Sequence, residues 1–134
     1  MRRILVFLGL GLALALLVEV LRRLVTYEIA DHSMSPTLQP GDWVLGARRH
    51  HARRGDVVVF AHPLRPGFEM VKRVAATAGD DMGHGALGPG EVWVLGDNPD
   101  HGSVDSRVLG PIRAEWLRAR LFLRYHPRPV APIR

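Results

Sequence analysis

The sequence contains no cysteine and only one lysine, Lys72. Without cysteine the chain has no disulfide, no thiol nucleophile and no cysteine-ligated metal. The other 17 of its 18 Lys and Arg residues are arginine. Arginine stays protonated at any biological pH, whereas burial can make a lysine amine neutral, so Lys72 alone among the basic side chains of this set can serve as a base. A codon bias toward arginine is the alternative explanation.

The length and charge of the chain narrow the classes of function. With 134 residues there is room for one ordinary domain and no second catalytic domain. The formal net charge is +5, but the arginines are scattered along the chain and indicate a solvated surface rather than a nucleic-acid-binding stripe. The seven histidines show no compact metal-ligand spacing. We therefore expect no nucleic acid partner, no metal and no cofactor.

An apolar run near the start predicts a membrane anchor over residues 1–25. Residues 4–18 carry no charge, and the apolar stretch continues past Glu19 to Leu21, which as a helix spans roughly 27 Å. A cleaved signal peptide is the alternative, but Arg22 and Arg23 follow where a small-residue cleavage site would be needed. Basic residues flank both ends, so only the terminal amine favours an extracytoplasmic domain, and orientation is weakly determined.

After the anchor the pattern becomes strand-like and predicts a compact, mostly β domain over residues 26–126. Turn formers such as Pro40-Gly41-Asp42 separate the apolar runs. The runs are 43–45, 57–60, 70–75, 92–95 and 121–125. We expect a loop over 83–90 and a short helical turn over 113–117. Three prolines make residues 127–134 a Pro-rich tail with little tendency to regular structure.

Three strings carry candidate chemistry. Ser33 precedes a proline-stiffened turn that can hold a nucleophilic hydroxyl on a fixed backbone. Ser35 is a rival nucleophile, but it stands directly before Pro36. Lys72 has apolar neighbours whose burial would lower its pKa and make it a base. The loop 96–107 is dense in hydrogen-bonding groups and suits a network that orients other side chains.

Taken together, these strings resemble the type I signal peptidase family of serine proteases. The resemblance covers roughly residues 29–112 and has four motifs in the family's order. They are SMSPTL at 33–38, RGDVVVF at 54–60, KRVAATAGD at 72–80 and GDNPDHGSVDSR at 96–107. The resemblance implies a compact β catalytic domain behind one transmembrane helix.

The resemblance also implies roles for individual residues. Ser33 would attack the scissile carbonyl, and neutral Lys72 would take the hydroxyl proton and later deliver it to the leaving amine. The backbone N–H of Ser33 would donate to the developing oxyanion. Around the dyad, Ser103 would position the lysine amine, Asp105 and Arg107 would form a supporting ion pair, Asp97 would tie down the same loop, and Met34 and Val71 would line substrate pockets.

Two departures from the family pattern stand out. The position two before the nucleophile, where many relatives carry a hydroxyl or glycine, is Asp31. An ionised carboxylate in the oxyanion hole would repel the developing charge, so Asp31 must turn away, be protonated or mark altered chemistry. One extra residue between Gly96 and Ser103 lengthens the loop and weakens the assignment of Ser103.

The sequence thus predicts a single-pass cell-membrane serine endopeptidase that removes N-terminal signal peptides from secretory preproteins. Its partners would be the protein substrate and, through the N-terminal helix, membrane lipid. The short connection between Asp80 and Val92 favours an alternative, an intracellular protease that removes the propeptide of nickel superoxide dismutase. A self-cleaving repressor of the SOS type and a basic membrane-anchored binding module leave the anchor or the ordered motifs unexplained.

Overall fold

A computed structural model describes residues 1–134, with the side chains of Arg2 and Arg3 outside the description. Its first element is helix α1, Arg2–Arg23. The stretch Ile4–Arg23 has a mean hydropathy of 2.8, and none of it is buried against the rest of the protein. Because it is long and apolar enough to cross a bilayer and covers no protein core, α1 is available for lipid.

The rest of the chain folds into one antiparallel sheet of eight strands. The spatial order is β1-β2-β7-β3-β4-β5-β6, with β8 added to β7. The strands are β1 Leu24–Glu28, β2 Trp43–Arg48, β3 Val57–Ala61, β4 Glu69–Thr77, β5 Glu91–Leu95, β6 Ile112–Arg113, β7 Leu117–His126 and β8 Ala131–Pro132. Short helical segments lie at Pro99–His101, Ser106–Leu109 (α2) and Ala114–Trp116.

Apolar side chains on the two faces of the sheet form separate cores. One cluster contains Met34, directly after the predicted nucleophile, together with Val57 and Leu121. A second cluster contains Val58, Phe60 and neighbours on β5 and β6. Alternation along β3 sends successive residues to opposite cores, which explains why its four valine and phenylalanine positions are all buried. The nucleophile turn is therefore anchored on one core by Met34.

The mostly β fold behind an apolar helix is confirmed, and so is the short helical turn near residue 115. Two details differ from expectation. Strand β1 begins at Leu24, so residues 24 and 25 belong to the sheet rather than to the anchor. The proline-rich tail forms β8, which pairs with β7. Pro132 has no N–H to donate, but the neighbouring Ile133 N–H donates to Phe122 O, so the pairing does not need a donor from the proline.

Candidate active site

The turn after β1 places the predicted nucleophile in the protein interior. Ser33 is only 2% exposed, and the following Met34 is 1% exposed. The N–H of Leu38 donates to the Met34 carbonyl over 2.9 Å, which closes the turn around Pro36. The Ser35 hydroxyl instead donates to the Leu38 carbonyl within the turn. The turn therefore presents Ser33, not Ser35, to the neighbouring strand.

Strand β4 brings Lys72 to Ser33. Lys72 is 1% exposed, and its Nζ lies 2.6 Å from Ser33 Oγ. Backbone pairing of Val58 with Lys72 fixes the lysine in register with the sheet. A hydroxyl and an amine at this distance can exchange a proton directly.

Burial lowers the pKa of the Lys72 amine below its usual value, because the charged form loses its hydration. The negative charges of Asp31 and Asp105 act in the opposite direction and favour the protonated amine. Burial is the larger effect, so the net direction is toward the neutral base that proton abstraction requires.

Asp97 connects the lysine strand to the nucleophile turn. Its two carboxylate oxygens accept from Arg73 Nε at 2.8 Å and Nη2 at 2.7 Å, and Oδ2 also accepts from Thr37 Oγ1 at 2.6 Å. Burial raises the pKa of Asp97, but the hydrogen bonds from Arg73 and Thr37 outweigh it and hold the pKa below its usual value. Because Arg73 follows Lys72 and Thr37 belongs to the turn, this carboxylate links the strand that carries Lys72 to the turn that carries Ser33.

Asp105 is fully buried and organises the end of the loop. It accepts from Arg107 Nε at 3.0 Å, from Arg107 Nη2 at 2.7 Å and from the Gly96 N–H at 3.3 Å. Burial raises its pKa, and the bonds from Arg107 and Gly96 more than reverse that effect. The predicted Asp105–Arg107 pair thus joins the loop to the end of β5.

The hydroxyl oxygen of Ser103 is buried and has no hydrogen-bond partner among the residues that the structure describes. Ser103 lines the same cleft as Lys72 but makes no hydrogen bond to it. Gly96 lies close to it, because a Cβ added at Gly96 would lie 3.0 Å from Ser103 Oγ. An unpartnered buried hydroxyl is available to an amine that moves during a reaction.

Gly96 lies against the nucleophile backbone. A Cβ at this position would lie 2.8 Å from the Ser33 carbonyl oxygen, which is closer than real side chains approach. The adjoining Asn98 holds the same turn, because its N–H donates to Ser33 O and its side chain donates to His32 O, both over 3.0 Å. The loop after β5 therefore packs against the backbone of Ser33, the predicted nucleophile.

We expect Gly96→Ala to reduce cleavage of a protein substrate by about 100-fold, because the methyl group must displace the backbone of Ser33. Steady-state cleavage rates of the purified full chain would measure this loss. Gly88→Ala is the matched control, since its Cβ would meet only the flexible Glu91 side chain at 3.3 Å. Equal rates for the two variants would contradict the positioning role of Gly96.

Asp31 faces the backbone of the nucleophile rather than solvent alone. The Ser33 N–H donates to Asp31 Oδ1 over 2.9 Å. Burial raises the pKa of Asp31, but the hydrogen bonds from Ser33 and the charge of Lys72 outweigh it, so the pKa is lowered and the carboxylate is ionised. Of the three alternatives raised by the sequence, turning away does not describe this structure, and the lowered pKa argues against protonation. An ionised carboxylate therefore accepts the hydrogen bond from the Ser33 N–H, the group that was expected to stabilise an oxyanion.

A cleft of about 820 Å³ is lined by Lys72 and by Asp31 and Met34, which lie in the chain on either side of Ser33. Met34 and Val71, both predicted to line substrate pockets, are among its walls. Its other apolar walls include Tyr27, Val59, Leu64, Phe68 and Met70. Strands β1 and β4 flank this space, so an extended apolar segment could lie between them with its backbone near Ser33.

No role was expected for Thr37, Arg73 or Asn98, although all three lie within the quoted motifs. The link between Asp42 and Arg128 was not expected either. Arg128 donates to both carboxylate oxygens of Asp42 and to Thr37 O. The position of Arg73 directly after Lys72 was the one sequence feature that could have indicated its role. For Arg128, which lies 86 residues from Asp42, the sequence carries no local signal.

A serine hydroxyl within hydrogen-bond distance of a buried lysine amine, beside a cleft with largely apolar walls in a β domain, is an arrangement that fits hydrolases with a serine nucleophile. Comparison with known families agrees with this class. The chain belongs to the family described as signal peptidase, peptidase S26, whose model matches residues 1–84. The resemblance seen in the motifs is thereby confirmed.

Individual relatives are named for mitochondrial and bacterial peptidases. The chain is 35% identical over 109 residues to mitochondrial inner membrane protease subunit 1 of Homo sapiens, covering 71% of this chain and 65% of that protein. It is 35% identical over 111 residues to the Schizosaccharomyces pombe subunit 1, covering 72% and 70%. Signal peptidase I of Aquifex aeolicus matches at 37% over 60 residues, 42% of this chain and 23% of that enzyme. The chain thus spans about two thirds of the length of the mitochondrial relatives.

Proposed function

We propose that this protein is a membrane-anchored serine endopeptidase that removes N-terminal signal peptides from secretory preproteins. The observation that carries the proposal is the 2.6 Å contact between Lys72 Nζ and Ser33 Oγ, with both residues almost fully buried. The family membership and the apolar helix α1 support it. Incubation of the full chain with a preprotein, followed by N-terminal sequencing of the product, tests it.

In the proposed mechanism neutral Lys72 accepts the Ser33 hydroxyl proton as Ser33 Oγ bonds to the scissile carbonyl carbon. The peptide C–N bond then breaks, and the lysine proton passes to the leaving amine. Water attacks the resulting ester with Lys72 again as base, which releases the acyl product and restores Ser33. Ser103 offers its free hydroxyl to the moving amine, and Asp97 and the Asp105–Arg107 pair keep the surrounding loops in place.

Asp31 gives this mechanism a specific requirement. The substrate carbonyl oxygen must replace Asp31 Oδ1 as the acceptor of the Ser33 N–H before that N–H can stabilise the oxyanion. We propose that the resting site is closed by this contact and opens when substrate enters the cleft.

The pH profile tests the role of the amine. Since only neutral Lys72 can accept the proton, activity should rise with pH and level off above the lysine pKa, which burial places below that of an ordinary lysine. Initial cleavage rates of the full chain across the neutral and alkaline range would measure the midpoint. A rate that is constant over that range would show that a different group is the base.

The cell membrane is the proposed location, with the β domain on the extracytoplasmic side. The absence of cysteine allows a direct test, because Val130→Cys would introduce one exposed thiol into the chain. A membrane-impermeant maleimide should label this variant in intact cells. Labelling only after lysis would place the domain inside and favour the intracellular alternative, propeptide removal from nickel superoxide dismutase, which the short connection between β4 and β5 already favours.

A further inference from the structure

A second cavity, away from the cleft, is lined almost entirely by basic side chains. It measures about 380 Å³, and we refer to it as the arginine pocket. Its lining residues are Arg49, His51, Arg53, Arg54, Asp56 and Arg120. Most of them lie in the segment between β2 and β3, and Arg120 comes from β7. Five of the six lining residues are therefore close together in the sequence, and the sheet adds Arg120.

The charges of the arginine pocket are not balanced. Asp56 is its only carboxylate, and Arg120 Nε lies 2.9 Å from Asp56 Oδ1. The other oxygen of Asp56 accepts the backbone N–H of Arg53. Among the described side chains, the guanidinium groups of Arg49, Arg53 and Arg54 form no ion pair. Guanidinium groups that line one cavity and form no ion pair can donate to the oxygens of a phosphate group, although Arg49 Nη1 also lies 3.4 Å from His51 Nε2.

The sheet register places this pocket near the point where α1 enters the domain. Ala47 in β2 pairs with Leu24, the first residue after the helix, and on its other side with Arg120. With strands about 4.8 Å apart, the Cα atoms of Leu24 and Arg120 are roughly 10 Å apart. Strand β2 runs antiparallel to β1, so Arg48 and Arg49 leave the sheet at its helix end.

The helix end itself adds charge. Arg22 and Arg23 form the last turn of α1, and Arg48 is exposed one residue before the pocket begins. In a bilayer, the headgroup layer begins where the apolar part of a spanning helix ends. If α1 spans a bilayer, the arginine pocket, which lies close to the end of this helix, would therefore be near the phosphates of the headgroup layer.

We propose that the arginine pocket binds the phosphate group of an anionic phospholipid at the membrane surface. This contact would seat the β domain against the bilayer and fix its rotation about α1. The inference rests on the pocket, its charge and its position beside α1, and it does not depend on catalysis at Ser33.

Amide hydrogen exchange of the full chain in nanodiscs tests this proposal. The N–H groups of Arg53, Gly55 and Asp56 report on the pocket, because each is hydrogen-bonded within or beside it. Discs of phosphatidylcholine alone would be compared with discs of phosphatidylcholine and phosphatidylglycerol in equal parts. We expect exchange of these amides to slow by about tenfold or more with phosphatidylglycerol, since each basic residue near such a surface contributes about a factor of five in affinity.

The Arg53→Gln/Arg54→Gln variant should lose this protection. Arg113→Gln/Arg134→Gln removes the same charge from exposed positions outside the pocket and should retain it. Unchanged exchange of the β3 amides would show that both variants are folded. Equal exchange in the two kinds of disc, or equal loss in both variants, would overturn the proposal. So would protection by inorganic phosphate in phosphatidylcholine discs that matches the effect of phosphatidylglycerol, because the ligand would then be a soluble anion.

Discussion

Ser33→Ala and Lys72→Arg are each expected to lower the rate of preprotein cleavage by about 10⁴-fold or more while the domain stays folded. Alanine removes the hydroxyl that lies 2.6 Å from the amine. Arginine keeps a positive charge but stays protonated, so it cannot accept the hydroxyl proton. Losses of this size are typical when one member of a nucleophile–base pair is removed. Single-turnover cleavage with the purified full chain would measure them.

Two further variants separate chemistry from folding. Lys72→Met keeps a long apolar side chain in the buried position without a permanent charge, so it should be folded and equally inactive. Ser35→Ala removes the rival hydroxyl, which contacts only the Leu38 carbonyl, and should cleave at close to the normal rate. Substantial cleavage by Lys72→Arg would rule out the neutral-amine mechanism, and loss of cleavage in Ser35→Ala alone would move the nucleophile to that residue.

Asp31→Gly is expected to raise the rate of cleavage by about tenfold to 100-fold. In the resting structure the Asp31 carboxylate accepts a hydrogen bond from the Ser33 N–H over 2.9 Å. One backbone donor to an oxyanion contributes about 100-fold or more to the rate. The same carboxylate favours the protonated form of Lys72. Its removal should therefore free the amide and also lower the lysine pKa. Rates measured from neutral to alkaline pH would show both effects.

Asp31→Asn distinguishes the two effects. Its side-chain oxygen can still accept the Ser33 N–H, so the amide stays occupied, but the charge that acts on Lys72 is gone. We expect the rise of activity with pH to shift to lower pH in both variants, and the plateau rate to increase only in Asp31→Gly. If Asp31→Gly is slower than the unmodified chain and its pH profile is unchanged, Asp31 serves only to shape the turn. Thermal unfolding of both variants would show whether the fold is intact.

The sequence predicted the parts of this molecule whose signals are local. Strand β3 was evident from four consecutive apolar residues, and Ser33 and Lys72 from the motifs that contain them. Strand β6 has only two residues and could not be recognised, because its pairing with β5 is set by the sheet and not by its own composition. The hydrogen bond from the Ser33 N–H to the Asp31 carboxylate depends on the side-chain rotamer of Asp31, which no sequence pattern specifies.

The grouping of charges in space was the least predictable property, because it also depends on how distant strands pair. Arg49 and Arg120 are far apart in the chain, and only the pairing of β2 with β7 brings them to one pocket. From the sequence alone, the arginines were therefore expected to form a scattered, solvated surface. Long-range register converts such a distribution into a local concentration of charge, and register is decided by the burial of the whole sheet.

The link between Arg128 and Asp42 has a consequence for biosynthesis. Arg128 donates to Asp42 and to the carbonyl of Thr37, so the turn that carries Ser33 is completed by a residue near the far end of the chain. During translation α1 emerges first and can enter the membrane well before Arg128 has been made. The turn that carries Ser33 therefore stays without this link, next to the bilayer, until Arg128 has been made and has left the ribosome.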